Sequence, residues 1–71
     1  MHPNTIRALL QARPFVPFII RMTSGQAYTV DSPEVAVMTR DGTAIAVAEG
    51  EHTIAHLATR HICSLEPHPG Q

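Results

Sequence analysis

The sequence predicts a mainly β (α+β) fold, in which a short N-terminal helix precedes a small antiparallel barrel or rolled sheet of five or six strands. Three observations predict it. A helical i, i+3, i+4 pattern of apolar residues opens the chain, short apolar segments with strand periodicity follow, and Gly, Asp, Ser and Pro separate those segments at intervals of about 8–12 residues. Because the chain has only 71 residues, we expect one domain over 1–66 and a frayed, disordered tail over 67–71.

The helix is expected over residues 4–12. Ile6, Leu9 and Leu10 form its apolar face, since they lie at positions i, i+3 and i+4. An Asn-Thr pair at its start favours an N-cap at one of these two residues, 4 or 5. Pro14 ends the helix, because proline disfavours helical geometry in the residue before it.

The first predicted hairpin joins a strand over 15–22 to a strand over 26–30. Apolar residues alternate along the first segment, and Ser24-Gly25 lies where a tight turn is expected. Pro17 cannot donate a hydrogen bond to a neighbouring strand. We therefore expect it at a sheet edge or at the mouth of its strand.

The second predicted hairpin joins strands over 35–39 and 43–48. The Asp41-Gly42 dipeptide between them is strongly typical of hairpin turns, and a turn there places Val37 opposite Ala46. Both faces of this hairpin are apolar, so it is either buried on both sides or uses one face as an interface. The candidate self-association residues are Val35, Val37, Ala46 and Ala48.

A homo-oligomer is predicted from size. A chain of this length buries only about 60% of the surface that its unfolded form exposes, and its single cysteine cannot form an internal disulfide. Small domains without disulfides or metal ions usually gain the missing stability by associating with further copies of themselves. The expected core comprises Leu9, Phe15 or Phe18, Ile20, Val30, Met38, Ile45 and Leu65.

The last third of the sequence contains a strand over about 60–66. Residues 52–58 are ambiguous, because their apolar positions fit helical spacing while turn-bounded strands on either side favour a strand. On a strand, His61 and Cys63 would share one face, with Cys63 as a candidate nucleophile and His61 as its base. Cys63 also alternates with Leu65, which favours a buried, unreactive thiol.

The composition excludes several classes of function. A formal net charge of −1 creates no overall field for nucleic acid or acidic membranes. No apolar run approaches the roughly 18–20 residues needed to cross a bilayer, and the four glycines stand singly rather than in a phosphate-binding loop. We therefore predict a cytoplasmic, non-catalytic protein with no catalytic residue, no cofactor and no small-molecule substrate.

Five histidines are the one unusual feature of the composition. His52, His56 and His61 lie close together in the sequence, with Cys63 nearby. Imidazole and thiolate groups are zinc ligands, but a helical His52–His56 pair would lack the glutamate of the HExxH motif, because Thr53 follows His52. No metal site is assigned, and the role of these histidines stays open.

Most of the chain resembles a family of short uncharacterised bacterial proteins. The resemblance rests on LLQARPFVPFII over 9–20, followed by Gly25, Tyr28, Val30 and the Ser-Pro-Glu of 32–34. Those proteins share a short helix and an "RPFxPF" entry into the first strand. The resemblance implies the helix-then-sheet fold and no particular activity.

A looser resemblance concerns the end of the chain. The segment over 60–64, RHICS, is similar to the terminal "KHAIS" segment of the Sm-like proteins, the group that includes the bacterial Hfq chaperones. Those proteins form rings that bind RNA. The resemblance implies a homo-oligomeric ring in which Arg60 and His61 contact RNA, as the alternative to a module that acts through protein–protein contacts.

Overall fold

A computed structural model describes residues 2–68 of the protein. Over this range the chain forms one α-helix, two short 3₁₀ turns and six strands. In chain order these are α1 (Pro3–Gln11), β1 (Phe18–Met22), β2 (Ala27–Val30), the first 3₁₀ turn (Pro33–Val35), β3 (Ala36–Met38), β4 (Ala44–Ala48), β5 (Ile54–Ala58), the second 3₁₀ turn (Thr59–His61) and β6 (Ile62–Pro67). None of these helices is long and apolar enough to cross a membrane.

Helix α1 begins one residue earlier than predicted. His2 is the N-cap: its imidazole Nδ1 accepts a hydrogen bond of 3.2 Å from the backbone N–H of Asn4. The prediction of Asn4 or Thr5 as the cap was wrong, because the helix already includes Pro3 in its first turn. A backbone N–H at that position has no partner within the helix, so proline loses no hydrogen bond there. The predicted apolar face is present, and Ile6 is fully buried.

The strands form two separate three-stranded antiparallel sheets, in the orders β2-β1-β6 and β3-β4-β5. The predicted mainly β fold with a short N-terminal helix is confirmed, and the six strands agree with the predicted five or six, but these strands do not close into a barrel. The two 3₁₀ turns interrupt the backbone between the sheets, one between β2 and β3 and the other between β5 and β6. The chain therefore passes from one sheet to the other through a 3₁₀ turn at each crossing.

The ambiguous segment 52–58 contains a strand, β5, which pairs with β4 along its whole length. The second hairpin has the predicted register, with Val37 opposite Ala46. Its connection holds four residues, 40–43, because the backbone N–H of Thr39 already bonds to the carbonyl of Ala44.

The core lies between the two sheets and is covered at one end by α1. Its buried apolar residues are Ile6, Phe18, Ile20, Met22, Val30, Ala36, Ile45, Val47, Leu57 and Ile62. Of the predicted core residues, Phe18, Ile20, Val30 and Ile45 are buried, whereas Leu9, Phe15, Met38 and Leu65 pack against the core while only partly buried. Leu57 became identifiable as a core residue only once 52–58 was known to be a strand.

The last strand extends one residue past the predicted domain boundary at residue 66. Strand β6 continues through Pro67, and the backbone N–H of His68 lies 3.4 Å from the carbonyl oxygen of Pro17. The rest of the predicted tail, residues 69–71, lies outside the described residues. Pro17 itself precedes β1, as expected for a residue that cannot donate to a ladder.

Candidate functional site

The most distinctive surface of the molecule is the solvent-facing side of sheet β3-β4-β5, here called the outer face. It is formed by Val37, Ala46, Ala48, Ile54 and His56. Side chains alternate across a strand, so the residues between them point to the core. The register aligns Val37, Ala46 and His56 in one row across the sheet and sets Ala48 beside Ile54.

Two large apolar side chains stand out from this face. Val37 is 69% exposed and Ile54 is 62% exposed. Ala46 and Ala48 line a shallow groove of about 180 Å³ together with these two residues. No residue of the three strands carries a charged side chain, and exposed apolar surface of this kind is typical of an interaction site.

The four residues predicted for self-association lie together at this groove. Val37, Ala46 and Ala48 are on the outer face itself, whereas Val35 ends the first 3₁₀ turn at its margin and is half-buried against the core. Ile54 was not among the predicted residues. The signal that would have identified it is strand alternation over 54–58, which was obscured by the helical spacing of the same segment.

The other sheet has a different outer surface. Arg21 donates two hydrogen bonds to the carboxylate of Glu66, at 2.7 and 3.3 Å, and the hydroxyl of Ser64 donates a third at 3.1 Å. The bond from Arg21, with that from Ser64, lowers the pKa of the Glu66 carboxyl. The charged groups on this side are therefore mutually paired, and the two sheets present chemically distinct surfaces.

Arg60 and His61 lie on the second 3₁₀ turn, and both are exposed. They line different clefts. Arg60 borders a cleft of about 230 Å³ beside Pro3 and Gly42. His61 borders one of about 430 Å³ that also contains His56. The two residues of the Sm-like resemblance are thus neighbours in sequence but do not line a common cleft.

Arginines gather at the end of the molecule covered by α1. The guanidinium of Arg7 lies within 3.4 Å of the carbonyl oxygen of Thr39 and 3.2 Å of that of Arg40, so the helix is tied to the β3–β4 connection. Arg60 lies next to the same connection, across Gly42. Asp41 is also present there, and hydrogen bonds from the backbone and hydroxyl of Thr43 lower the pKa of its carboxyl.

The histidines do not converge on one point. His52 lies in the β4–β5 connection with its side chain 92% exposed, where its Nε2 is 3.9 Å from a carboxylate oxygen of Glu51. His56 is on the outer face, and His61 is on the second 3₁₀ turn. Across residues 2–68, no three His, Cys, Asp or Glu side chains are arranged so that they could hold a metal ion.

Cys63 is exposed, so the prediction of a buried thiol was wrong. The pairing of β6 with β1 shifts between Arg21 and Met22, where Ser64 and then Ile62 are the partners, and this leaves Cys63 as an extra residue. Such a bulge changes the alternation of side chains along a strand. Ile62 is therefore buried in the core while Cys63 faces solvent.

No Ser, Thr or Cys side chain is hydrogen-bonded to a histidine among the interactions of residues 2–68, and such a bond is what activates a nucleophile. The outer face, the arginine-bearing end and an apolar cleft of about 240 Å³ beside Leu9, Val16 and Phe18 are contact surfaces of the described residues. The chain matches no protein-family model, no curated protein and no solved structure.

Proposed function

We propose that this protein is a non-catalytic cytoplasmic module that self-associates through the outer face of sheet β3-β4-β5. The observation that carries the proposal is the exposure of Val37 and Ile54 on either side of a shallow groove, in a sheet whose three strands carry no charged side chain; Glu34 lies at the margin of the groove. Complete burial of a valine or isoleucine side chain stabilises a protein by about 1.5–3 kcal/mol. Burial of both side chains at an interface therefore provides a substantial driving force for association. The single exposed thiol suits the reducing cytoplasm.

A second copy of the chain fits this face well. Val37 and Ile54 project from the sheet, while Ala46 and Ala48 leave a groove between them. A two-fold axis would place the projecting side chains of each copy in the groove of the other, which is the self-complementary contact that most dimers use. Two sheet faces pack in this way about 10 Å apart.

The test is the substitution Val37→Asp, examined by light scattering on protein that elutes from a sizing column. We expect the molar mass to fall to a smaller assembly, because the interface would have to bury an unpaired carboxylate. The matched control is Val16→Asp. Val16 is also a largely exposed valine, at 57%, but it lies before β1 and away from the outer face. An unchanged mass for folded Val37→Asp protein would refute this interface.

The second candidate is an RNA-binding ring of the Sm-like kind, in a bacterial cytoplasm. The observation that favours it is the position of the Arg7 and Arg60 side chains at one end of the molecule, beside the connection that contains Arg40. Repeated around a ring, these arginines would form a basic belt even though the chain has a formal net charge of −1. Arg60 and His61 are the residues that this proposal assigns to RNA contact.

Binding of a short fluorescent single-stranded RNA, titrated at several salt concentrations, tests the second candidate. Arg60→Ala should weaken binding and reduce the slope of log K against log salt by about 0.7 for each lost phosphate contact. Arg13→Ala is the control, since Arg13 is exposed but follows α1 rather than lying at the β3–β4 connection. Equal effects of the two substitutions, or no RNA binding by the unmodified protein, would contradict an Arg60 site.

A further inference from the structure

Strand β5 has one unpaired edge whose hydrogen-bonding groups can be assigned. The backbone N–H of Thr59 donates to the carbonyl of Thr43 at 2.9 Å, just beyond the end of the β4–β5 ladder. Hydrogen-bonded and non-hydrogen-bonded pairs alternate along an antiparallel ladder. Two residues before Thr59, Leu57 therefore exchanges backbone hydrogen bonds with Ile45.

The same alternation leaves every second residue of β5 without a partner from β4. Ala55 and Leu57 bond to β4, whereas the N–H and C=O groups of Ile54, His56 and Ala58 point away from it. Among the strands of residues 2–68, β4 alone pairs with β5, so these groups form a row of donors and acceptors. Such a row is a template for another strand.

The other sheet edges carry features that hinder strand addition. Strand β3 has only three residues. Strand β6 contains the bulge at Cys63 and ends in Pro67, which has no N–H. Strand β2 has only four residues, of which two, Ala27 and Thr29, turn their backbone groups to the free edge. Strand β5 has five residues without proline, charge or bulge, and its free edge opens onto the cleft of about 430 Å³ that the first hairpin also lines. Among the described edges it is therefore the longest one without a sequence or register feature that hinders strand addition.

We propose that β5 of a second copy of this chain pairs antiparallel with β5 about a two-fold axis at His56. In this register Ile54 of each copy lies opposite Ala58 of the other, and the two His56 residues face each other. Each of these pairs exchanges two hydrogen bonds through the free groups. Residues 54–58 bear no formal charge with neutral histidine, so the pairing sets no like charges opposite one another.

This edge contact goes beyond the proposed function, because it uses the backbone along one side of the sheet rather than the side chains of its outer face. It joins two three-stranded sheets into one of six strands and extends the outer face across both copies. The two contacts do not compete for the same atoms. Ile54 and His56 contribute side chains to the outer face and backbone groups to the edge, so protection of the backbone amides, rather than molar mass alone, distinguishes the two contacts.

Amide hydrogen exchange, measured by NMR on the ¹⁵N-labelled full chain, tests the pairing residue by residue. The amides of Ile54, His56 and Ala58 face solvent in a single chain and should exchange rapidly at high dilution. We expect their exchange to slow by about tenfold or more as the protein concentration rises, because pairing protects them. Ala55 and Leu57 are internal controls, since their amides are bonded to β4 at every concentration.

The substitution His56→Lys provides the matching variant. It sets two ammonium groups opposite each other at the axis, which destabilises a strand pair, so the protection at Ile54 and Ala58 should disappear. Thr29→Lys, on the exposed side of β2, is the control and should leave that protection unchanged.

Three results would overturn the pairing. Rapid exchange at Ile54 and Ala58 in a preparation that light scattering shows to be oligomeric would refute the edge contact while leaving the outer-face proposal intact. New protection at Leu65, whose N–H points away from β1, would show that the second copy contributes β6 instead. A monomer at all concentrations would refute both contacts, whereas protection that persists in Val37→Asp would support the edge contact alone.

Discussion

Replacement of Ile20 by alanine is expected to lower the free energy of unfolding by about 2–5 kcal/mol. Ile20 lies in the central strand of sheet β2-β1-β6, between Tyr28 and Leu65, and its side chain is completely buried. A domain of this size has a total stability of roughly 4–10 kcal/mol. The substitution therefore removes a large part of it, and chemical denaturation followed by circular dichroism measures the loss.

Val16→Ala is the control for Ile20→Ala. Val16 is 57% exposed, and its truncation should change the free energy of unfolding by no more than about 0.5 kcal/mol, as is usual for surface positions. If the two substitutions had similar effects, Ile20 would not occupy the centre of the core, and the arrangement of the two sheets described above would be wrong.

The substitution Gly42→Ala is expected to destabilise the protein by about 2–4 kcal/mol, the sum of two effects. Gly42 has a φ of +78°, in a region where a residue with a Cβ is strained. A Cβ added there would also lie 2.6 Å from the Cβ of Pro3, so α1 would have to move away from the β3–β4 connection. The shift of the thermal unfolding midpoint measures the combined effect.

Gly25→Ala separates these two effects. Gly25 has a similar backbone conformation, with a φ of +95°, but nothing lies within 4 Å of a Cβ built on it. This variant should show only the cost of the left-handed conformation, about 1–2 kcal/mol. The difference between the variants then reports the contact with α1. Equal destabilisation by both would mean that the helix does not pack on this connection.

Much of the candidate interface could be predicted from sequence, because it depends on local periodicity. Val37, Ala46 and Ala48 were identified from two apolar strands around a hairpin turn, and the observed register agrees. Ile54 and His56 were not identified. Their segment satisfies both helical and strand spacing, and only its pairing with β4 decides between the two.

The exposure of Cys63 and the position of Arg60 could not be predicted from local sequence for a different reason. The exposure of Cys63 results from a bulge that depends on how β6 meets β1, and no feature of the local sequence specifies where a ladder shifts. The approach of Arg60 to the β3–β4 connection likewise depends on the path between two sheets. Thr59 anchors that path: its hydroxyl donates a hydrogen bond of 2.6 Å to the carbonyl of Gly42, seventeen positions away in the sequence.

The sequence by itself determined the N-terminal helix, the strands outside 52–58, the turn at Asp41-Gly42 and the apolar character of the second hairpin, because these depend on residues within a few positions of each other. The tertiary structure alone decided that the strands form two open sheets rather than a closed barrel, which face of the second hairpin is exposed, and that β5 lies at the edge of its sheet. Those properties depend on contacts between distant segments, whose free energies are not encoded in the periodicity of any single segment.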